Sequence, residues 1–199
     1  MRRDSSYKRR KIVLASASPR RREILALTGL EFRVDTGDYE EAMDLPMEPH
    51  ELARFLSREK AGAVARKYGN ALVIAADTFI LFEGRLLGKP RDERDAGRML
   101  ARLNGRSHSV ITGFTVLDTA TKKSVSEWVE TRVYFRRLTA REISSYVKSG
   151  EPLDKAGSYG IQGLGALLVE KIEGDYFNVM GLPLGALART LKKFGIRIL

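Results

Sequence analysis

At 199 residues the chain is long enough to bury a substantial core in one domain or two joined lobes, and 43% hydrophobic with 30% charged residues is a globular composition. With no cysteine and two well-separated histidines, His50 and His108, it offers no disulfide, no thiolate nucleophile and no His-rich metal site, so any metal is a hard cation on carboxylate and phosphate oxygens. The net charge of +10 raises a nucleic-acid reading, but no aromatic-rich RNA-binding signature accompanies it, and no run of ~18 apolar residues is present to span a membrane.

Residues 1–10 hold Arg2, Arg3, Lys8, Arg9 and Arg10 against Asp4 and read as a basic flexible tail. The twin arginines do not make a signal peptide, because Lys8 to Lys11 stand where an apolar stretch belongs, and the cytoplasm is the default location. Residues 11–15 predict a short buried strand. Ser18 and Pro19 then suit the N-cap and first position of a helix carrying Ile24, Leu25 and Leu27 and closed by Gly29. Arg20, Arg21 and Arg22 occupy its first turn, where the helix dipole disfavours cations. Amide groups, the hydroxyls of Ser16 and Ser18 and several guanidiniums there make a cradle for phosphate, the alternative being a solvated basic helix end.

Residues 31–47 read as an irregular acidic loop with Asp35, Asp38, Glu40, Glu41 and Asp44, either solvated or supplying a carboxylate to a metal–phosphate complex. A helix over 49–68 places Lys60 on the inward stripe, four residues from Leu56 and from Val64. Such a lysine snorkels to the rim or serves a buried anion. Residues 71–76 predict a fully buried strand that runs into Asp77, a strand-end carboxylate placed for catalysis or for capping a turn. Glu83-Gly84 predicts a hairpin, and Pro90 fixes the approach of Lys89. Asp92 caps a helix bearing Ala96, Met99, Leu100 and Leu103. Two strands over 107–117 and 124–136 follow, then a capping box at Thr139 and Glu142. Between 150 and 165 lie Gly150, Gly157, Gly160, Gly163 and Gly165, in neither Rossmann nor Walker A order, which permit close backbone approach to a ligand near Asp154, Lys155 and Gln162. A hairpin over 166–172 and 176–179 and a final helix from Pro183 complete the pattern. Interleaved strands and helices predict an α/β protein with a mixed sheet, and the cations, Asp77 and the acidic loop suggest metal-assisted attack on a phosphate ester or anhydride.

Several stretches together resemble the Maf family of nucleoside triphosphate pyrophosphatases. They are Leu14-Ala-Ser-Ala-Ser-Pro-Arg-Arg21, Arg58-Glu-Lys-Ala61, Ala76-Asp-Thr78, Gly88-Lys-Pro-Arg91, Glu151-Pro-Leu-Asp-Lys-Ala-Gly-Ser-Tyr-Gly-Ile-Gln-Gly163 and Asn178-Val-Met-Gly-Leu-Pro183. The resemblance covers nearly everything from Lys11 onward and implies one catalytic domain over 11–199. The implied fold is an elongated mixed sheet flanked by helices, in two lobes with a cleft, like that of the inosine triphosphatase and Ham1 proteins. The implied reaction converts a nucleoside triphosphate to its monophosphate and pyrophosphate with a divalent metal, magnesium or manganese. By resemblance Asp77 is the general base, Ser16, Arg21, Lys60 and Lys89 hold phosphate, and Glu41 acts through the metal. Arg20, Thr78 and Gln162 match the branch acting on dTTP, UTP and modified uridine forms, a nucleotide-pool housecleaning role. Gln162 can both donate and accept, which suits the edge of a uracil or thymine ring. The implied partner is a small nucleoside triphosphate, with no membrane and no specific nucleic acid, and a homodimer is left open. Two other readings compete: a basic nucleic-acid-binding module, and a nucleotide-binding regulator of septum formation and cell division.

Overall fold

In the computed structural model, which describes residues 10–37 and 45–199, the first apolar run forms β1 (Lys11–Leu14), with Ile12, Val13 and Leu14 buried. It pairs in parallel with β2 (Arg33–Val34) and with β3 (Ala71–Phe82). β3 turns through Glu83 and Gly84, at φ 51° and 72°, into antiparallel β4 (Arg85–Leu87), the backbone a tight two-residue hairpin turn demands. β5 (Ser107–Asp118), β6 (Ser124–Phe135) and β7 (Val169–Glu173) complete a seven-stranded mixed sheet in the order β2-β1-β3-β5-β6-β7, with β4 on β3. The Thr119 amide, just past β5, donates to the Ala71 carbonyl at 2.9 Å, so β5 runs antiparallel to β3. Six α-helices accompany the sheet among the described residues, α1 (Pro19–Ala26), α2 (Pro49–Ala65), α3 (Glu93–Leu103), α4 (Ala140–Lys148), α5 (Tyr176–Met180) and α6 (Leu184–Lys192), with 3-10 helices over Glu151–Asp154, Ala156–Ser158 and Gly163–Leu168.

The chain packs as two units, and β3, β5 and β6 each pass from one into the other. The first takes Met1–Asp77, Thr112–Val129 and Gly181–Leu199. Its α2 lies so close to β5 that a Cβ on Gly113 would stand 2.0 Å from the Ala53 carbonyl oxygen, so only glycine fits there. A chain of hydroxyls ties the same elements: Ser57 donates to the Arg54 carbonyl, and Ser57, Thr115 and Ser126 are linked by two contacts of 2.8 Å. Trp128 of β6, still 42% exposed, stacks on His50 of α2 with ring centroids 4.2 Å apart.

The second unit takes Thr78–Ile111 and Glu130–Met180. Its core gathers Ile80, Phe82, Leu100, Leu103, Val133, Phe135, Tyr146 and Tyr159. Inside it His108 Nε2 meets the Tyr159 hydroxyl at 2.7 Å, and both rings sit edge-on to Phe135. Burial pushes the His108 imidazole down to about 4, so it is neutral near pH 7. The predicted caps hold: Asp92 accepts from the Asp95 amide at 2.7 Å, and Thr139 and Glu142 form the full capping box of α4.

The structure departs from expectation at five places, one being that residues 166–168, expected in a hairpin arm, close a 3-10 helix before β7 begins at Val169. β3 does not end at Asp77 but runs to Phe82; β1 pairs with Ala71 to Ile74 and β4 with Ile80 to Phe82, so Asp77 sits between the two paired stretches. Within the predicted acidic loop, Arg33 and Val34 form a strand too short to carry a periodic signal. Residues 176–179 are helical rather than a hairpin arm, because the Asp175 carboxylate accepts from the amides of Phe177 (2.8 Å) and Asn178 (3.3 Å) and caps α5, while β7 pairs with β6. Leu27, the last apolar residue expected on α1, is 65% exposed.

Candidate active site

In the first unit, β1 delivers Ser16. The Ala15 amide donates to the Ile74 carbonyl at 2.7 Å, which places the segment after β1 alongside β3 just ahead of Asp77. Ser18 caps α1 through the Arg21 amide at 3.5 Å, and no acidic residue occupies the first turn. Arg21 folds back: Nε donates to the Gly181 carbonyl at 2.8 Å and Nη1 to the Ser16 hydroxyl at 3.3 Å. The guanidinium is therefore held in one orientation beside a buried hydroxyl and a helix N-terminus, a ready site for anionic oxygen. Arg20 is half-buried on the same turn. Arg22 is exposed and lines a surface pocket together with Ser16, Ser18, Glu23 and Val34.

Lys60 projects from α2 to an ion pair with Asp77, its side chain 14% exposed against 8% for the aspartate. The inward stripe thus led to a buried anion rather than to the rim. Two opposite charges this far from water are tolerated because each is the other's partner. Asp35, the one described residue of the acidic cluster, is occupied by structure: it accepts from Lys67 at 2.8 Å and Tyr68 at 2.7 Å, and the Lys67 bond foremost holds its carboxyl below the usual range. Glu41, with Asp38, Glu40 and Asp44, lies outside the described residues.

In the second unit, Thr78 is half-buried on β3. Lys89 is exposed, and the peptide presenting it is bracketed by buried Pro90 and by the Gly88 carbonyl, which accepts from the Gly157 amide at 2.9 Å. Gln162, half-buried and extended (φ −104°, ψ 170°), leads into a 3-10 helix over Gly163–Leu168. The close approaches made by the glycines before and after it are to the protein itself: a Cβ on Gly165 would lie 2.1 Å from the Gly160 carbonyl oxygen and 2.6 Å from the Tyr146 hydroxyl. The sequence reads these glycines as making room for a ligand and gives no role to Tyr146, on α4, or to Glu151, which stands three residues past the end of that helix and opens the stretch that leads to Gln162.

Among the described residues no three His, Asp or Glu side chains cluster to hold a metal. Magnesium and manganese beside polyphosphates need only one or two carboxylates, because the phosphates and water supply the remaining oxygens. Asp77 is the described carboxylate whose hard oxygen fits that part.

The family model described as Maf-like protein matches residues 11–194. Two archaeal proteins called dTTP/UTP pyrophosphatase, from Methanosarcina barkeri and Methanococcoides burtonii, are each 50% identical to the chain over 190 residues, covering 95% of it and 96% and 97% of their own lengths. One from Bacillus cereus bearing the same name is 46% identical over 189 residues, covering 95% of this chain and 98% of its own. Among solved structures, the Ham1 protein of Staphylococcus aureus aligns with 75% of this chain and 85% of its own at a TM-score of 0.45 and 15% identity.

Proposed function

The chain belongs to the Maf-like protein family, and on that premise we propose that it hydrolyses dTTP and UTP to the nucleoside monophosphate and pyrophosphate. The observation that carries the chemical step is the buried Lys60–Asp77 ion pair. A water oxygen attacks the α-phosphorus, the bond from that phosphorus to the oxygen bridging to the β-phosphate breaks, and pyrophosphate leaves. Asp77 takes the water's proton. The Lys60 ammonium holds the carboxylate in place, and a carboxylate base suffices because phosphoryl transfer asks more for positioning and charge stabilisation than for a strong nucleophile.

Ser16 and Arg21 suit the polyphosphate for the reason that shaped their own geometry: a guanidinium tethered at Nε still presents N–H groups, and α1 adds its N-terminal amides. Lys89 supplies a further cation. A divalent cation bound at Asp77 and the phosphates would neutralise charge on the triphosphate. Base choice is assigned to Arg20, Thr78 and Gln162, with the Gln162 amide pairing to both a donor and an acceptor of a uracil or thymine edge.

The experiment is a panel of nucleoside triphosphates with magnesium or manganese, read as pyrophosphate released. dTTP and UTP should head the panel, and Asp77→Asn should lower turnover ~10²–10⁴-fold. A chain that cleaves no triphosphate, or an Asn variant close to full turnover, would overturn the reading.

A further inference from the structure

Apolar packing holds the segment that carries Gln162 at its ends, through buried Tyr159 and Leu168, but Leu164 and Leu167, just after Gln162, are 51% and 65% exposed. Between those ends polar anchors fix the backbone. Glu151 Oε2 accepts from the Leu164 amide at 2.9 Å, and Oε1 accepts from the Gly165 amide at 3.0 Å and from the Tyr146 hydroxyl at 2.9 Å. On the other side of Gln162 the Gly160 amide donates to the Tyr146 hydroxyl at 3.3 Å. Tyr146 itself is 5% exposed in the core, and burial pushes its hydroxyl up, so it stays a proton donor to Glu151. The cradle is tied down in turn, with the Lys155 ammonium donating to the Glu151 carbonyl and to Asp154.

We propose that Glu151 is a positioning residue for base recognition, its carboxylate and the Tyr146 hydroxyl setting the backbone on both sides of Gln162 and so fixing where that amide points. A single carboxylate spanning two amides and a phenol makes three charge-assisted bonds, and no neutral side chain of that length can accept all three. A side chain at Gly165 would collide with the Gly160 carbonyl and the Tyr146 hydroxyl, so the loop packs on this cradle only with glycine there. The proposal rests on Gln162 being the side chain that reads the base.

The test compares Glu151→Gln, Tyr146→Phe and Gln162→Ala for kcat and KM on dTTP, UTP, CTP and GTP, with urea unfolding of each. Glu151→Gln keeps the shape but turns an N–H toward a backbone N–H. It should raise KM for dTTP and UTP and cut their discrimination over CTP and GTP ~10-fold, since a polar contact displaced by under an ångström is largely lost. Tyr146→Phe, which keeps the ring in the core, should move the same ratio in the same direction by less and serves if the Gln variant does not fold. The Glu151→Gln, Gln162→Ala double variant should discriminate no worse than Gln162→Ala alone, because both act through one contact. If Gln162→Ala loses discrimination while Glu151→Gln and Tyr146→Phe retain it, the cradle is structural only and the proposal fails. If Gln162→Ala itself discriminates normally, the base-reading role fails and the proposal falls with it.

Discussion

The two units carry their assigned residues in different ways. In the first, Arg21, Lys60 and Asp77 project from helices and a strand, Ser16 lies just past β1, and they hold one another, Arg21 bonding to Ser16 and Lys60 to Asp77. In the second, Gln162 rides on an irregular stretch between two short 3-10 helices, fixed by side chains bonding to its backbone. The contrast teaches that charge chemistry and base choice are separable here. A change at the Lys60–Asp77 pair of the first unit should reach every nucleotide alike, whereas a change at Gln162 or its cradle in the second should alter which nucleotides are accepted.

The largest effect sharpens that comparison. Asp77→Asn should lower turnover by the same ~10²–10⁴-fold factor on dTTP, UTP and the poorer triphosphates, because it removes the base and not a contact to the ring. A loss confined to one nucleotide would break the division of labour. Next in size, Gly113→Ala should cost about 2–4 kcal/mol in urea unfolding, since its Cβ would meet a helix carbonyl that cannot give. The surviving folded enzyme should keep its nucleotide preference.

The second unit responds to acid. His108 binds its proton less readily folded, at about 4, than unfolded, near 6.5, so its contribution to stability is fully present above pH 6.5 and is lost as pH falls toward 4. Unfolding titrations between those limits should show a decline of roughly 1–3 kcal/mol, which His108→Gln flattens. The smallest effect is Thr139→Ala, which removes the α4 cap at ~1 kcal/mol. Because Tyr146 stands on α4, this variant should show some loss of discrimination, where Gly113→Ala shows none.

Much of this was legible in the sequence. Local signals with a steric or hydrogen-bonding basis, such as the caps at Ser18, Asp92 and Thr139 and the Glu83-Gly84 turn, all formed as read. The inward register of Lys60 and the apolar run before Asp77 foretold a buried cation and a costly carboxylate, and the structure pairs them. What escaped was decided by contacts distant in sequence. β2 exists because β1 is there to pair with it. Asp77 was taken for a strand end because charge interrupts the apolar run, yet apolar residues on both sides continue β3. The glycines of 160–165 signalled crowding without saying against what, and the answer lay at Tyr146 and Glu151.

The chain has a single tryptophan, and the ring pair it makes with His50 belongs wholly to the first unit. Its emission is thus an optical reporter of one half of the molecule, while the buried tyrosines Tyr146 and Tyr159 stand in the other half. Unfolding followed by indole fluorescence times the first half alone, and tyrosine absorbance on the same unlabelled sample adds the second, where Tyr134, Tyr146, Tyr159 and Tyr176 stand beside the contribution of Tyr68 from the first. Coincident curves would mark one cooperative transition, and a lag between them would show which half lets go first.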